Sequence, residues 1–247
     1  YFIESLNELA GTFFELQNMK LAHKYFSQGF QQAEKNDSAL GKAAASNGLG
    51  AISISQGRTR EAQKHFMTSL QICKTHNLIE PKLKPLTNLV EIYHFTGQFK
   101  KGLRMIDEYI VTVRKIDYGQ GLALLLRFRA ILLCDLGRYQ EGNQNAWQAY
   151  LYQKQNYNPQ EEFLSLVIWL RIQKKLGSFP KHLDDILQFD KVHDMEHFLP
   201  ILHCFKGLQR ASIGVQHPFL HHFEDQYLMP HQRIRFRLNR ARYFHLL

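Results

Sequence analysis

Four glycines stand 40 residues apart, at Gly57, Gly97, Gly137 and Gly177. Each belongs to a similar phrase: Ser55-Gln56-Gly57-Arg58, Thr96-Gly97-Gln98-Phe99, Leu136-Gly137-Arg138-Tyr139 and Leu176-Gly177-Ser178-Phe179. Gln17 holds the same place one period earlier. A fixed period of this size marks stacked supersecondary units, none of which can bury its apolar face alone. The chain is therefore expected to form one repetitive array, not a globule with a single central core.

The residues around each glycine have helical spacing. Before Gly57 runs Ala43-Ala44-Ala45-Ser46-Asn47-Gly48-Leu49-Gly50, and after it come Ala62, Phe66, Leu70 and Cys73. Apolar positions three, four and seven apart place one stripe on each helix. The glycine falls between two helices, where a left-handed residue ends the first and begins the turn. Leu9, Leu49 and Leu89 share one site of the first helix, occupied by Arg129 and Trp169 in later units. Small residues follow each turn at Ala22, Ala62, Gly102 and Gly142, and four residues on stand Phe26, Phe66, Ile106 and Ala146. Helices are expected over 2–16, 19–35, 38–56, 59–76, 82–96, 99–115, 120–136, 139–155, 160–176, 180–190, 195–213, 218–229 and 231–246. Asp37-Ser38, Pro81 and Asn158-Pro159 supply start signals.

A leucine and a small residue, then glycine before an aromatic, then small and aromatic again: this pattern resembles the tetratricopeptide (TPR) repeat. The stretch from Asn47 to Phe66 carries most of the pattern. The 40-residue period is longer than the usual TPR unit and is similar to that of bacterial regulators and Pins-type adaptors. The resemblance implies an all-α fold, a right-handed superhelical solenoid of antiparallel helix pairs with about six repeats and a terminal helix. Residues 1–190 read as regular repeats, and 191–247 as degenerate repeats with a basic terminal helix continuous with them.

In a TPR superhelix the first helix of each unit lines the concave side, so the resemblance also names contact candidates. They are Asn7, Asn47, Lys84, Thr87, Glu91, His94, Arg127, Arg171 and Lys174, on positions that point away from the packed stripe. Asparagine amides can serve both donor and acceptor of a peptide backbone, and arginine forks onto carboxylates. A peptide or protein segment, acidic at one end, is the expected partner. The expected role is a non-catalytic interaction or sensor module, part of a larger cytoplasmic regulatory protein.

The alternative reading is a nucleic-acid-associated module. Formal charge is +9, and the segment 231–242 carries Arg233, Arg235, Arg237, Arg240 and Arg242 with no acid. Such a stretch suits phosphate or an acidic partner. His193 and His197 are one helical turn apart, but Asp194 and Glu196 do not sit as in the His-Glu-x-x-His zinc motif, so no metal site is assigned. There is no nucleophile elbow, phosphate loop or dinucleotide fingerprint, so neither an enzyme nor a cofactor is expected. No run approaches the roughly 20 apolar residues that span a bilayer. The three cysteines, Cys73, Cys134 and Cys204, are too far apart and too few for a disulfide framework.

Overall fold

The computed structural model describes residues 1–156 and 158–178. Among these there are nine α-helices and no strand: α1 (Phe2–Glu15), α2 (Met19–Lys35), α3 (Ala39–Ser55), α4 (Thr59–Thr75), α5 (Ile79–Phe95), α6 (Phe99–Lys115), α7 (Gly119–Asp135), α8 (Tyr139–Gln155) and α9 (Pro159–Lys175). Every helix from α2 to α9 has 17 residues, so each starts twenty positions after the last. The chain forms two compact units, Tyr1–Arg138 and Tyr139–Leu247. Helices α1 to α7 belong to the first, α8 and α9 to the second.

The twenty-residue beat comes from the turns. The glycines at 57, 97, 137 and 177 have φ of +74°, +71°, +75° and +67°, as expected for a left-handed cap. The turns between repeats use the same conformation without glycine, at Asp37, Asn77 and Asp117, where φ is +49°, +53° and +53°. In each turn the N–H of the left-handed residue bonds back three residues, and the next N–H bonds back five. Gly57 donates to Ile54 O at 2.9 Å and Arg58 to Ser53 O at 2.8 Å; Asn77 donates to Lys74 O at 3.4 Å and Leu78 to Cys73 O at 2.8 Å. This Schellman arrangement satisfies the last carbonyls of the outgoing helix. Its final residue also serves as N-cap of the incoming one. Ser38 and Asn158 cap with their side chains, accepting from Gly41 N and Glu161 N as the sequence led one to expect.

Helix α5 begins earlier than the sequence suggested, at Ile79 and not at 82. Pro81 stands within its first turn, where N–H groups lack intrahelical partners, so the proline sacrifices no bond there. Pro85 follows inside the helix, and its missing N–H would have bonded the carbonyl of Pro81.

First and second helices of each pair bury differently. The second helices of the first unit bury one narrow stripe: Ala22, Phe26, Gly29 and Ala33 in α2; Ala62, Phe66, Ser69 and Cys73 in α4. The first helices α3, α5 and α7 are buried on two sides, whereas α1 buries only Ala10. Helix α3 encloses Gly41, Ala43, Ala45, Ser46, Gly48, Gly50, Ile52 and Ser53, because it lies between α2 and α4. Its small residues allow that close fit. A Cβ on Gly48 would meet the Phe26 ring at 2.3 Å, and one on Gly50 would meet the Phe66 ring at 2.5 Å. Ser69 Oγ ties α4 to α3 by donating to the buried Ala43 carbonyl at 2.7 Å. The leucine site is less uniform than its sequence suggests. Leu89 is buried, whereas Leu9 is 40% exposed.

Candidate binding face on the first helices

Within the first unit, α1 packs on α3, α3 on α5, and α5 on α7. The second helices α2, α4 and α6 have no comparable contact with one another. The first helices thus form a continuous inner layer, and side chains on its free side can act together across repeats.

Polar side chains link that layer. Asn88 Nδ2 of α5 donates to Asn47 Oδ1 of α3 at 2.9 Å, and His94 Nε2 of α5 lies 2.6 Å from Asp135 Oδ2 of α7. Both pairs are 41 residues apart, one repeat and one residue. A position in one first helix therefore faces the following position in the next. Asn7 Nδ2 of α1 likewise reaches α3, donating to the Gly41 carbonyl at 3.3 Å. The His94 ring also contacts Phe95 and Phe99, with centroids 5.3 and 5.9 Å away.

The sequence candidates separate into groups. Asn47, Glu91, His94 and Arg127 are half-buried along the inner layer, and Lys84 is exposed beside them. The Arg127 guanidinium lies 5.4 Å from the centre of the Phe128 ring. Asn7 is placed differently: its Oδ1 is buried against α2, where a Cβ on Gly29 would approach to 2.5 Å, so its amide is held in the helix interface. Thr87 is a correction. It is only 8% exposed, and its hydroxyl donates at 3.0 Å to the carbonyls of Leu83 and Lys84 in its own helix. The inner layer is tighter there than the helical register implied, since Leu83 and Leu86 are buried alongside.

Arg171 and Lys174 lie in the second unit. Arg171 is 8% exposed and Lys174 half-buried, so the arginine belongs to the packing of α9 and not to an open face. Trp169, two residues before Arg171 on α9, meets Trp147 of α8 with ring centroids 4.9 Å apart and planes tilted by 40°. The arginines at 233, 235, 237, 240 and 242, the histidines at 193 and 197, Cys204 and the expected boundary near 190 lie outside the described residues. No described helix is long and apolar enough to cross a membrane.

Sequence reasoning missed Asn88 and Asp135, the partners of two candidates. Asn88 stands 41 positions after Asn47 and Asp135 41 after His94, at the place where the repeat-plus-one register puts the facing residue.

With this geometry in view, comparison with solved structures is informative. The fold is TPR-like. The chain superposes on a Rap protein crystallised with Competence and Sporulation Factor, at a TM-score of 0.67 and 14% identity, over 83% of this chain and 57% of that one. It also superposes on a protein assigned as a kinesin light chain of Podosopora anserina, with nearly identical TPR-like repeats, at a TM-score of 0.57 and 13% identity, over 85% of this chain and 96% of that one. This chain therefore spans little more than half the length of the Rap protein. No family model and no curated protein matches it.

Proposed function

We propose that this chain is an interaction module that takes a peptide or protein segment along the inner layer of α1, α3, α5 and α7. The observation that carries the reading is the row of half-buried polar groups, Asn47, Asn88, Glu91, His94, Asp135 and Arg127, held on the three successive first helices α3, α5 and α7. Amides fixed by each other present their remaining donor and acceptor sites in set directions, which suits a peptide backbone. Charges of both signs along the row select for a segment with a matching charge order. The Rap protein, to which the chain is similar in fold, was crystallised with a bound factor. That likeness supports a binding role but carries no residue across at this identity. A role as the sensing part of a larger regulatory protein is consistent with the reading.

The test is selection of peptides from a random display library against the whole chain. Peptides that use the inner layer should bind Arg127→Glu and Glu91→Lys variants at least about tenfold more weakly, because reversing one charge sets like charges together. Selected peptides that bind these variants as well as the parent chain would place recognition elsewhere.

A further inference from the structure

The outer layer of the first unit carries a second repeating pattern, in charge. Lys20, Arg60 and Lys100 occupy the second position of α2, α4 and α6. Lys24, Lys64 and Arg104 follow one turn later on the same faces. All six side chains are exposed, and none lies within ion-pair distance of a carboxylate among the described residues. Of the nearby acids, Glu61 pairs with Arg58 at 2.6 Å and Asp107 with Arg129 at 2.7 Å, and the exposed Glu108 stands one turn after Arg104 without reaching ion-pair distance. In α8 the corresponding positions hold Gln140 and Gln144, so the pattern is confined to the first unit.

Folding gives no reason for this arrangement. A cation in the first turn of a helix faces the positive end of the helix dipole, where an acid would be stabilising. The N-caps of α4 and α6, Arg58 and Gln98, accept no backbone N–H with their side chains; Glu61 stands in the first turn of α4, and α6 has no acid there. Three helices repeat the same unfavourable choice at the same position. The result is a set of six exposed cations repeated near the N-termini of three successive second helices.

We propose that this outer face of α2, α4 and α6 docks an acidic protein segment. Charge complementarity identifies the sign of the partner. Its class follows from what accompanies the charge. Met67, one turn beyond Lys64 on the middle helix, is 53% exposed, a flexible apolar contact suited to a protein side chain. No Phe, Tyr or Trp on α2, α4 or α6 is exposed, and the exposed ring there is the single imidazole of His23, so the row of aromatic faces on which single-stranded nucleic acid stacks is missing from these helices. This face is separate from the inner layer, so the chain can hold two partners at once.

The experiment uses two probes: a fluorescent acidic peptide of Asp and Glu interspersed with Leu, and an oligothymidylate of equal charge. The variant replaces all six cations by glutamine, as in α8. It should keep its melting temperature or gain slightly, because glutamine is a good helix former and the dipole conflict is removed. Peptide affinity should fall at least about tenfold in this variant and fall measurably in Met67→Ser. Equal peptide affinity in the six-glutamine variant, a lowered melting temperature, or tighter binding of the oligonucleotide than of the peptide would overturn the proposal. The six substituted cations and Met67 all lie on α2, α4 and α6 and none on the inner layer, so failure here is distinguishable from failure of the inner-face reading.

Discussion

Asn88 donates its amide to Asn47 across the boundary between two repeats, at 2.9 Å and with both side chains half-buried. The bond joins α5 to α3 directly, without the intervening second helix. Its loss should therefore loosen the stacking of repeats more than the folding of either one. Asn88→Ala is expected to cost about 1 kcal/mol, the usual worth of a partly buried hydrogen bond with one partner left unpaired. Urea denaturation of the parent and variant measures this, and a double cycle with Asn47→Ala should show the two losses to be non-additive.

Helix α3 depends on having no side chain at Gly48. Gly48→Ala would drive a methyl to 2.3 Å from the Phe26 ring, which cannot withdraw because it is itself buried. Overpacking of this kind costs about 1–3 kcal/mol. The midpoint of denaturant unfolding should fall accordingly, whereas alanine at the exposed Gln71 should leave it nearly unchanged.

Gln17 is the one long side chain among the described left-handed turn residues, with φ of +61°. Later repeats place glycine at the same point of the unit. Gln17→Gly should stabilise the chain by up to about 1 kcal/mol, because the Cβ clash of the left-handed region is removed. A thermal melt reads the sign directly; a lower melting temperature would contradict this account of the turn.

His65 lies half-buried on α4, and burial there pushes its pKa below the ordinary histidine value, with Glu61 partly opposing the shift. The unfolded chain then binds a proton more readily than the folded one. The contribution to stability is present above the unfolded pKa of about 6.5 and is lost as pH falls through that value toward the lower folded one. Stability measured in urea should decline between about pH 7 and pH 5, and His65→Gln should flatten that decline.

Cys73 and Cys134 are both buried, and burial raises the Cys73 thiol pKa, with Lys82 opposing it. A thiolate is the reactive form, so a native chain should protect both residues from a thiol reagent. Mass spectrometry of the labelled peptides should find them modified only after denaturant is added.

Much of the fold was legible because one residue type repeats where physics leaves few substitutes. Glycine at 57, 97, 137 and 177 reveals half of the turns, since a left-handed backbone penalises any Cβ. The turns between repeats were placed by helix ends and start signals alone, because their left-handed residues Asp37, Asn77 and Asp117 tolerate that conformation and look like ordinary loop residues. Their own 40-residue spacing was the available signal. The small residues at 22, 62, 102 and 142 foretold close helix approach, and all four are buried. The candidate face was legible only in part. Helical register indicates which way Thr87 and Arg171 point, but not how closely the neighbouring helices pack around them. It also says nothing of the offset by one residue that pairs His94 with Asp135, which is a property of stacking between repeats.

The central claim is that a bound segment lies on the inner layer. It is tested most directly by photo-cross-linking a peptide selected from the random library. A benzophenone amino acid replaces Glu91 on α5 in one chain and Gln71 on the outer face of α4 in another. The account predicts a peptide adduct from position 91 and none from position 71. An adduct from position 71 alone would contradict it.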